Sequence, residues 1–169
     1  MNKNESKYFN TALLMDEALL LLLEKKDYDF ITVKEICEKA GTGRMSFYRN
    51  FESKEDIIKK WITTTTDNFL QNSDISYKND STKDYFIKLF THLDKYKNET
   101  FLIYKAGLFN LLKNEFDDKL IKLHQKEYEN YKSYFIAGGI FNVYYFWLIN
   151  GSKESPQELA SKMVDLLEK

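Results

Sequence analysis

Thr32-Val33-Lys34-Glu35-Ile36-Cys37-Glu38-Lys39-Ala40-Gly41-Thr42-Gly43-Arg44-Met45-Ser46-Phe47-Tyr48-Arg49-Asn50-Phe51 carries two helix signals with a very short gap between them. Thr32 stands immediately before an apolar-periodic run and Glu35 follows three residues later, the pattern of a capping box, so a helix starts at Val33. Gly41 can take the positive φ that a helix C-terminus favours, so this helix ends at Ala40. Val33, Ile36, Cys37 and Ala40 form its buried stripe. Only Thr42 and Gly43 then separate it from a second helix that begins near Arg44. Two short helices joined across so tight a glycine turn are a helix-turn-helix, whose second helix enters the DNA major groove.

The chemistry of the second helix agrees with that use. Arg44 and Arg49 are the only arginines in the chain, and from Lys39 to Arg49 there are three cations and no acid. The planar guanidinium can pair with a phosphate or with a guanine edge. Thr42, Ser46 and Tyr48 add hydroxyls that reach phosphate. Phe47 and Phe51, four residues apart, share a face and anchor the helix. On composition alone, an amphipathic helix with merely solvated arginines remains an alternative.

The whole chain sets the frame. Its 169 residues, 43% hydrophobic and 30% charged, suit one or two small globular domains. One proline, six glycines and helical spacing of apolar residues give an all-α class of about nine helices. A net charge of −1 supplies no global attraction to nucleic acid, so DNA binding must be local. The single Cys37 excludes an internal disulfide and fits a reducing compartment, the cytoplasm. Leu19 to Leu23 lacks the flanks of a signal peptide. No nucleophile with a paired base and no phosphate loop stands at a recognisable spacing, so the chain does not read as an enzyme. No cofactor is expected, and no metal site, since His92 and His124 have no cysteine or carboxylate at a ligand spacing.

Upstream, a helix is expected from about Ser6 to Lys26, with Leu14, Ala18, Leu21 and Leu22 inward, followed by a turn holding Tyr28 and Phe30. Downstream, Ser53 caps a helix that runs through Ile57, Ile58, Trp61 and Ile62 to about Leu70, long enough to link two domains. Lys54 at its start reads equally as a phosphate contact or as a solvated lysine.

The stretch from Ile31 to Ile57, with Thr before the first helix, Ala40-Gly41 at its end, Phe47-Tyr48-Arg49-Asn50-Phe51 in the second and Ser53-Lys54-Glu55 opening the next, resembles the N-terminal domain of the TetR/AcrR transcription regulators. That resemblance covers about residues 8 to 62. It implies an N-terminal three-helix DNA-binding domain over 1–60, joined by the long fourth helix to a helical effector-binding and dimerisation domain over 61–169. It places Thr32, Thr42, Arg44, Ser46, Tyr48 and Lys54 where that family meets DNA, and Gly43, Met45 and Arg49, on the same turn and helix, complete the expected DNA-binding set. Asp27, Gly43 and Met45 depart from the common pattern, so no operator sequence follows.

In the C-terminal part, Asn72 to Asp80 reads as a loop. Helices are then expected from Ser81 or Thr82 to near Asn98, from Thr100 to Asn114 with Gly107 inside, and from Phe116 to about Tyr131. Ser133 to Ser152 is an uncharged run long enough to span a bilayer, but its Asn142, Asn150, tyrosines and Gly138-Gly139 suit a helix buried against protein. Ser155-Pro156-Gln157-Glu158 starts a last amphipathic helix. The resemblance implies that these two closing helices pair with a second copy through Gly138, Gly139, Asn142, Phe146, Leu159, Met163 and Leu166, packing within one chain being the alternative. It also implies a small-molecule pocket, for which Trp61, His92, Tyr96, Tyr104, Tyr128, Tyr131 and Phe135 are candidates, against a filled aromatic core.

The function expected is a ligand-responsive repressor that binds a near-palindromic DNA operator as a homodimer, with a small-molecule effector and no membrane partner. The alternative is an activator or adaptor of the same fold that works through a protein partner.

Overall fold

The computed structural model describes residues 3–76, 80–125 and 130–167. Regular structure in these residues is helical throughout: α1 Lys3–Leu23, a 3-10 turn Tyr28–Phe30, α2 Val33–Lys39, α3 Arg44–Asn50, α4 Lys54–Asn72, α5 Thr82–Lys95, α6 Lys97–Lys105, α7 Phe109–Gln125, α8 Asn130–Ile149 and α9 Pro156–Leu167. The chain divides into two compact units, one of Met1–Thr64 with Leu102–Leu112, the other of Thr65–Phe101 with Lys113–Lys169.

In the first unit α1 packs on α2 and α3. The capping box is present: Thr32 Oγ1 accepts from Glu35 N at 3.2 Å, while the Glu35 carboxylate accepts from Thr32 N at 2.9 Å. Gly41, at φ +64°, turns the chain out of α2, with Thr42 N donating to Cys37 O at 2.9 Å. Ile36, Phe47, Ile57 and Ile58 are fully or almost fully buried. The buried face of α1 shares Ala18 with the expected one and otherwise differs from it. Ala12, Met15, Ala18 and Leu19 are buried, whereas Leu14 and Leu21 are 46% and 42% exposed. The continuous run Leu19 to Leu23 is apolar all round, so spacing alone could not fix which side faces the core.

The glycine at 107 also acts differently from the expectation. At φ +74° it ends α6, with Gly107 N donating to Tyr104 O at 3.0 Å and Leu108 N to Ile103 O at 3.1 Å. The single helix expected over 100–114 is therefore two, and α7 continues through the break expected before Phe116. A glycine in the left-handed region closes a helix, while Asn114-Glu115-Phe116 contains neither glycine nor proline.

In the second unit α5 packs on α9. Ser81 caps α5 by accepting from Asp84 N at 3.1 Å, and Ser155 caps α9 in the same way from Glu158 N at 3.3 Å. The interior is aromatic: Tyr85, Phe86 and Phe90 from α5 are buried, as are Phe116, Phe141, Tyr144 and Trp147. Phe116 meets Phe141 at 5.4 Å between ring centres and stacks on Tyr144 at 6.3 Å. The Trp147 Nε1 donates to Glu154 O at 2.9 Å, tying the end of α8 to the turn before α9. Among the described residues no helix is long and apolar enough to cross a membrane.

Candidate nucleic-acid interface and effector groove

Helix α3 is held from one side. Phe47 is fully buried and Phe51 almost so, their rings 5.7 Å apart. That fixes the opposite side outward: Gly43, Arg44 and Arg49 are exposed, Met45 is 82% and Tyr48 63% exposed. Ser46 is half-buried, its carbonyl accepting from Asn50 Nδ2 at 2.7 Å. Two guanidinium groups, a phenol and a flexible thioether thus share one exposed surface with no acid in the helix. Thr42 is placed differently, its Oγ1 buried in the turn beside Cys37, whose thiol is pushed up by burial.

Thr32 and Lys54 belong to the same unit and both are engaged within it. The exposed Thr32 hydroxyl donates to Glu35 at 2.8 Å as part of the cap. Glu35 is held down to about 2, first by the hydrogen bond from Lys26 and then by those from Thr32. Lys54 Nζ donates to Tyr28 O at 3.0 Å and to Ile31 O at 2.8 Å, and lies 4.2 Å from the centre of the Tyr28 ring. An ammonium has three donors, so one remains for a phosphate. Tyr28 in turn donates to Glu55 at 2.7 Å. Burial, and then the hydrogen bond to that carboxylate, raise the Tyr28 phenol, while the same hydrogen bond lowers Glu55 against the opposing effect of burial. These links between the 3-10 turn and the start of α4 were absent from the sequence reading; their acceptors are backbone carbonyls and a glutamate 27 positions away, for which no spacing rule exists.

The candidate pocket residues are not all gathered together. His92 and Tyr96 lie on one groove of about 490 Å³ between α4 and the end of α5. His92 stacks on Phe69 at 4.2 Å with 16° between planes and meets Tyr96 edge-on at 5.2 Å. Trp61 and Tyr104 are half-buried in the first unit, Tyr104 edge-on to Phe109 at 5.5 Å. Tyr131 and Phe135 are 92% and 73% exposed on α8, and Tyr128 lies outside the described residues. Phe69, Asn68, Ser73 and Lys95, which complete the groove, were not anticipated. Among the described residues no group of three His, Cys, Asp or Glu could hold a metal ion.

Of the candidate pairing residues, Gly139 and Asn142 are exposed, Gly138 is half-buried, and Phe146 and Leu166 are 66% and 67% exposed. A Cβ on either glycine would meet nothing within 4 Å. Leu159 and Met163 are instead 4% and 6% exposed inside the single chain, on the helix that packs against α5. Their stripe is already covered by this chain.

Comparison with known proteins gives two family matches, "Bacterial regulatory proteins, tetR family" over residues 17–60 and "Transcriptional regulator C-terminal region" over residues 80–169. YxbF of Bacillus subtilis, described as an HTH-type transcriptional regulator, is 50% identical over 46 residues, which are 27% of this chain and 12% of that protein. This chain therefore matches only about an eighth of that relative's length. The structure of Lin0861 from Listeria innocua is similar with a TM-score of 0.80 at 15% identity, covering 99% of this chain and 93% of the other. The structure of the transcriptional regulator FadR from Bacillus subtilis in complex with stearoyl-CoA follows the same fold with a TM-score of 0.58 at 19% identity, over 92% and 96% of the two chains.

Proposed function

Since the chain belongs to the tetR family of bacterial regulatory proteins, and is a helix-turn-helix transcriptional regulator, we propose that it is an effector-responsive repressor acting in the cytoplasm as a homodimer on a near-palindromic operator. The observation that carries this reading is the outward row Arg44, Met45, Tyr48 and Arg49 on α3. It joins both arginines of the chain in one helix that contains no acid. Gly43 and Ser46 lie beside that row, Thr32 and Lys54 at its edges supply hydroxyl and ammonium to the phosphates, and Thr42 shapes the turn.

Homodimerisation rests on the exposed face of α8. Gly138 and Gly139 leave space for a second helix, and Phe146 and Leu166 offer apolar surface beside it. A twofold pair sets two recognition helices at half-sites about one DNA turn, or a multiple, apart. An effector that binds two arrangements of the dimer with different affinity would shift DNA occupancy by that difference. The FadR structure, a complex with stearoyl-CoA, supports the binding of a small molecule by this fold. The second reading, activation through a protein partner, draws on the N-terminal part of α8, where Tyr131, Tyr134 and Phe135 are 92%, 60% and 73% exposed.

The deciding experiment is selection of bound sequences from random duplexes by the purified protein at a fixed, stated salt concentration, because phosphate contacts make affinity salt-dependent. Recovery of a two-fold symmetric sequence is expected. Recovery of no enriched sequence would turn the assignment to the protein-partner reading.

A further inference from the structure

Resting on the effector-responsive reading, we propose that the groove beside the Phe69–His92 stack binds small aromatic carboxylates, with the ring against the aromatic wall and the carboxylate toward Lys95. The groove's volume, about 490 Å³, falls within the roughly 300 to 1,000 Å³ usual for small-molecule sites.

Charge selects the sign of the ligand. The lining contains one lysine and no carboxylate, and Lys95 pairs with no acid among the described residues. Its ammonium stands 5.0 Å from the centre of the Tyr96 ring. His92 does not add a second cation: burial, with Lys95 assisting, holds it down to about 4. At neutral pH it is therefore a flat, uncharged face. Asn68, on α4 whereas Lys95 ends α5, is exposed, and its side-chain amide can donate to an anion.

Shape selects a thin apolar body. Phe69 and His92 line the groove on one side and a second space on the other, walled by Leu70, Leu89, Leu93 and Phe116. That inner space is about 20 Å³, room for about one water molecule and no more. An alkyl tail has nowhere to pass behind the stack. A ring lying against Phe69, His92 and Tyr96 needs no such passage, and aromatic faces and edges attract one another by their quadrupoles.

The test is ligand-observed NMR on the full-length protein, with benzoate, salicylate, benzamide and octanoate as probes. Benzoate and salicylate should bind in the millimolar range or tighter, and benzamide and octanoate at least about ten-fold more weakly, the size of one charge-assisted contact. Lys95→Met and Asn68→Asp, both at exposed positions, should each weaken benzoate by about ten-fold and leave benzamide unchanged. Equal binding of benzoate and benzamide, equal binding of benzoate and octanoate, an unaltered benzoate affinity in Lys95→Met, or no benzoate binding up to about 10 mM would each overturn the assignment. Occupancy of a selected duplex in the presence of benzoate separates the two readings. Lys95-dependent binding that leaves DNA occupancy unchanged would remove effector control and leave the site standing.

Discussion

Lys54 bonds two backbone carbonyls and covers the Tyr28 ring, so its removal should act on stability as well as on DNA. Lys54→Met is expected to lower unfolding free energy by about 1.5 to 3 kcal/mol, the range for hydrogen bonds involving a charged group, and to weaken all duplexes alike. Thermal unfolding and fluorescence anisotropy on specific and random DNA read these two effects separately. Arg44→Ala should behave otherwise, costing about 1 to 3 kcal/mol on the selected duplex and less on random DNA. Equal losses on both would reduce Arg44 to a phosphate contact. Asp16 governs a different dependence. It is 5% exposed, one of its oxygens is buried without a partner among the described residues, and burial raises its carboxyl from 3.8 to about 7, with Lys60 opposing. A folded-state value above the unfolded one means that its contribution is fully present below about pH 4 and is lost as pH rises through about 7. Urea unfolding should therefore show the protein losing stability relative to Asp16→Asn across that window, by up to about 4 kcal/mol at 1.36 kcal/mol per pH unit. Parallel pH profiles would remove Asp16 as the cause.

The two glycines of the turn predict opposite outcomes although they are two residues apart. Gly41→Ala forces a side chain into φ +64° and should destabilise by about 1 kcal/mol or more. Gly43, at φ −88° and ψ 155°, is the N-cap of α3. Gly43→Ser should change stability by only a few tenths of a kcal/mol, and thermal unfolding of the pair would show the contrast. Helix starts and stops were legible in the sequence wherever their chemistry is local, as at Thr32 with Glu35, at Gly41, and at Ser155 with Glu158. The outward row of α3 was legible for a related reason, since Phe47 and Phe51 fix its inner side by spacing alone. What depends on a neighbouring element was not legible. The face of α1 is chosen by what α2 and α3 present to it, and its continuous leucines allow several answers. Gly107 carries no mark that distinguishes a helix end from a helix interior. The groove is assembled from Phe69 on α4 and His92 on α5, whose meeting is set by how the two helices pack.

At the scale of the whole molecule, the exposed face of α8 should decide the oligomeric state. Phe146→Asp, at a position 66% exposed in the single chain, should shift sedimentation toward monomer, should lower the unfolding temperature only by the share that association contributes, and should weaken binding to a two-half-site duplex far more than to a single half-site. A dimer unaffected by this change would place the contact elsewhere. The chain also contains two tryptophans, one in each compact unit: half-buried Trp61 in the first and Trp147, 2% exposed, in the second. Single replacements by phenylalanine therefore split the intrinsic emission into two optical channels, a redder one from the DNA-binding unit and a bluer one from the groove-bearing unit. Unfolding, duplex arrival and small-molecule arrival could then each be assigned to a unit with no label attached.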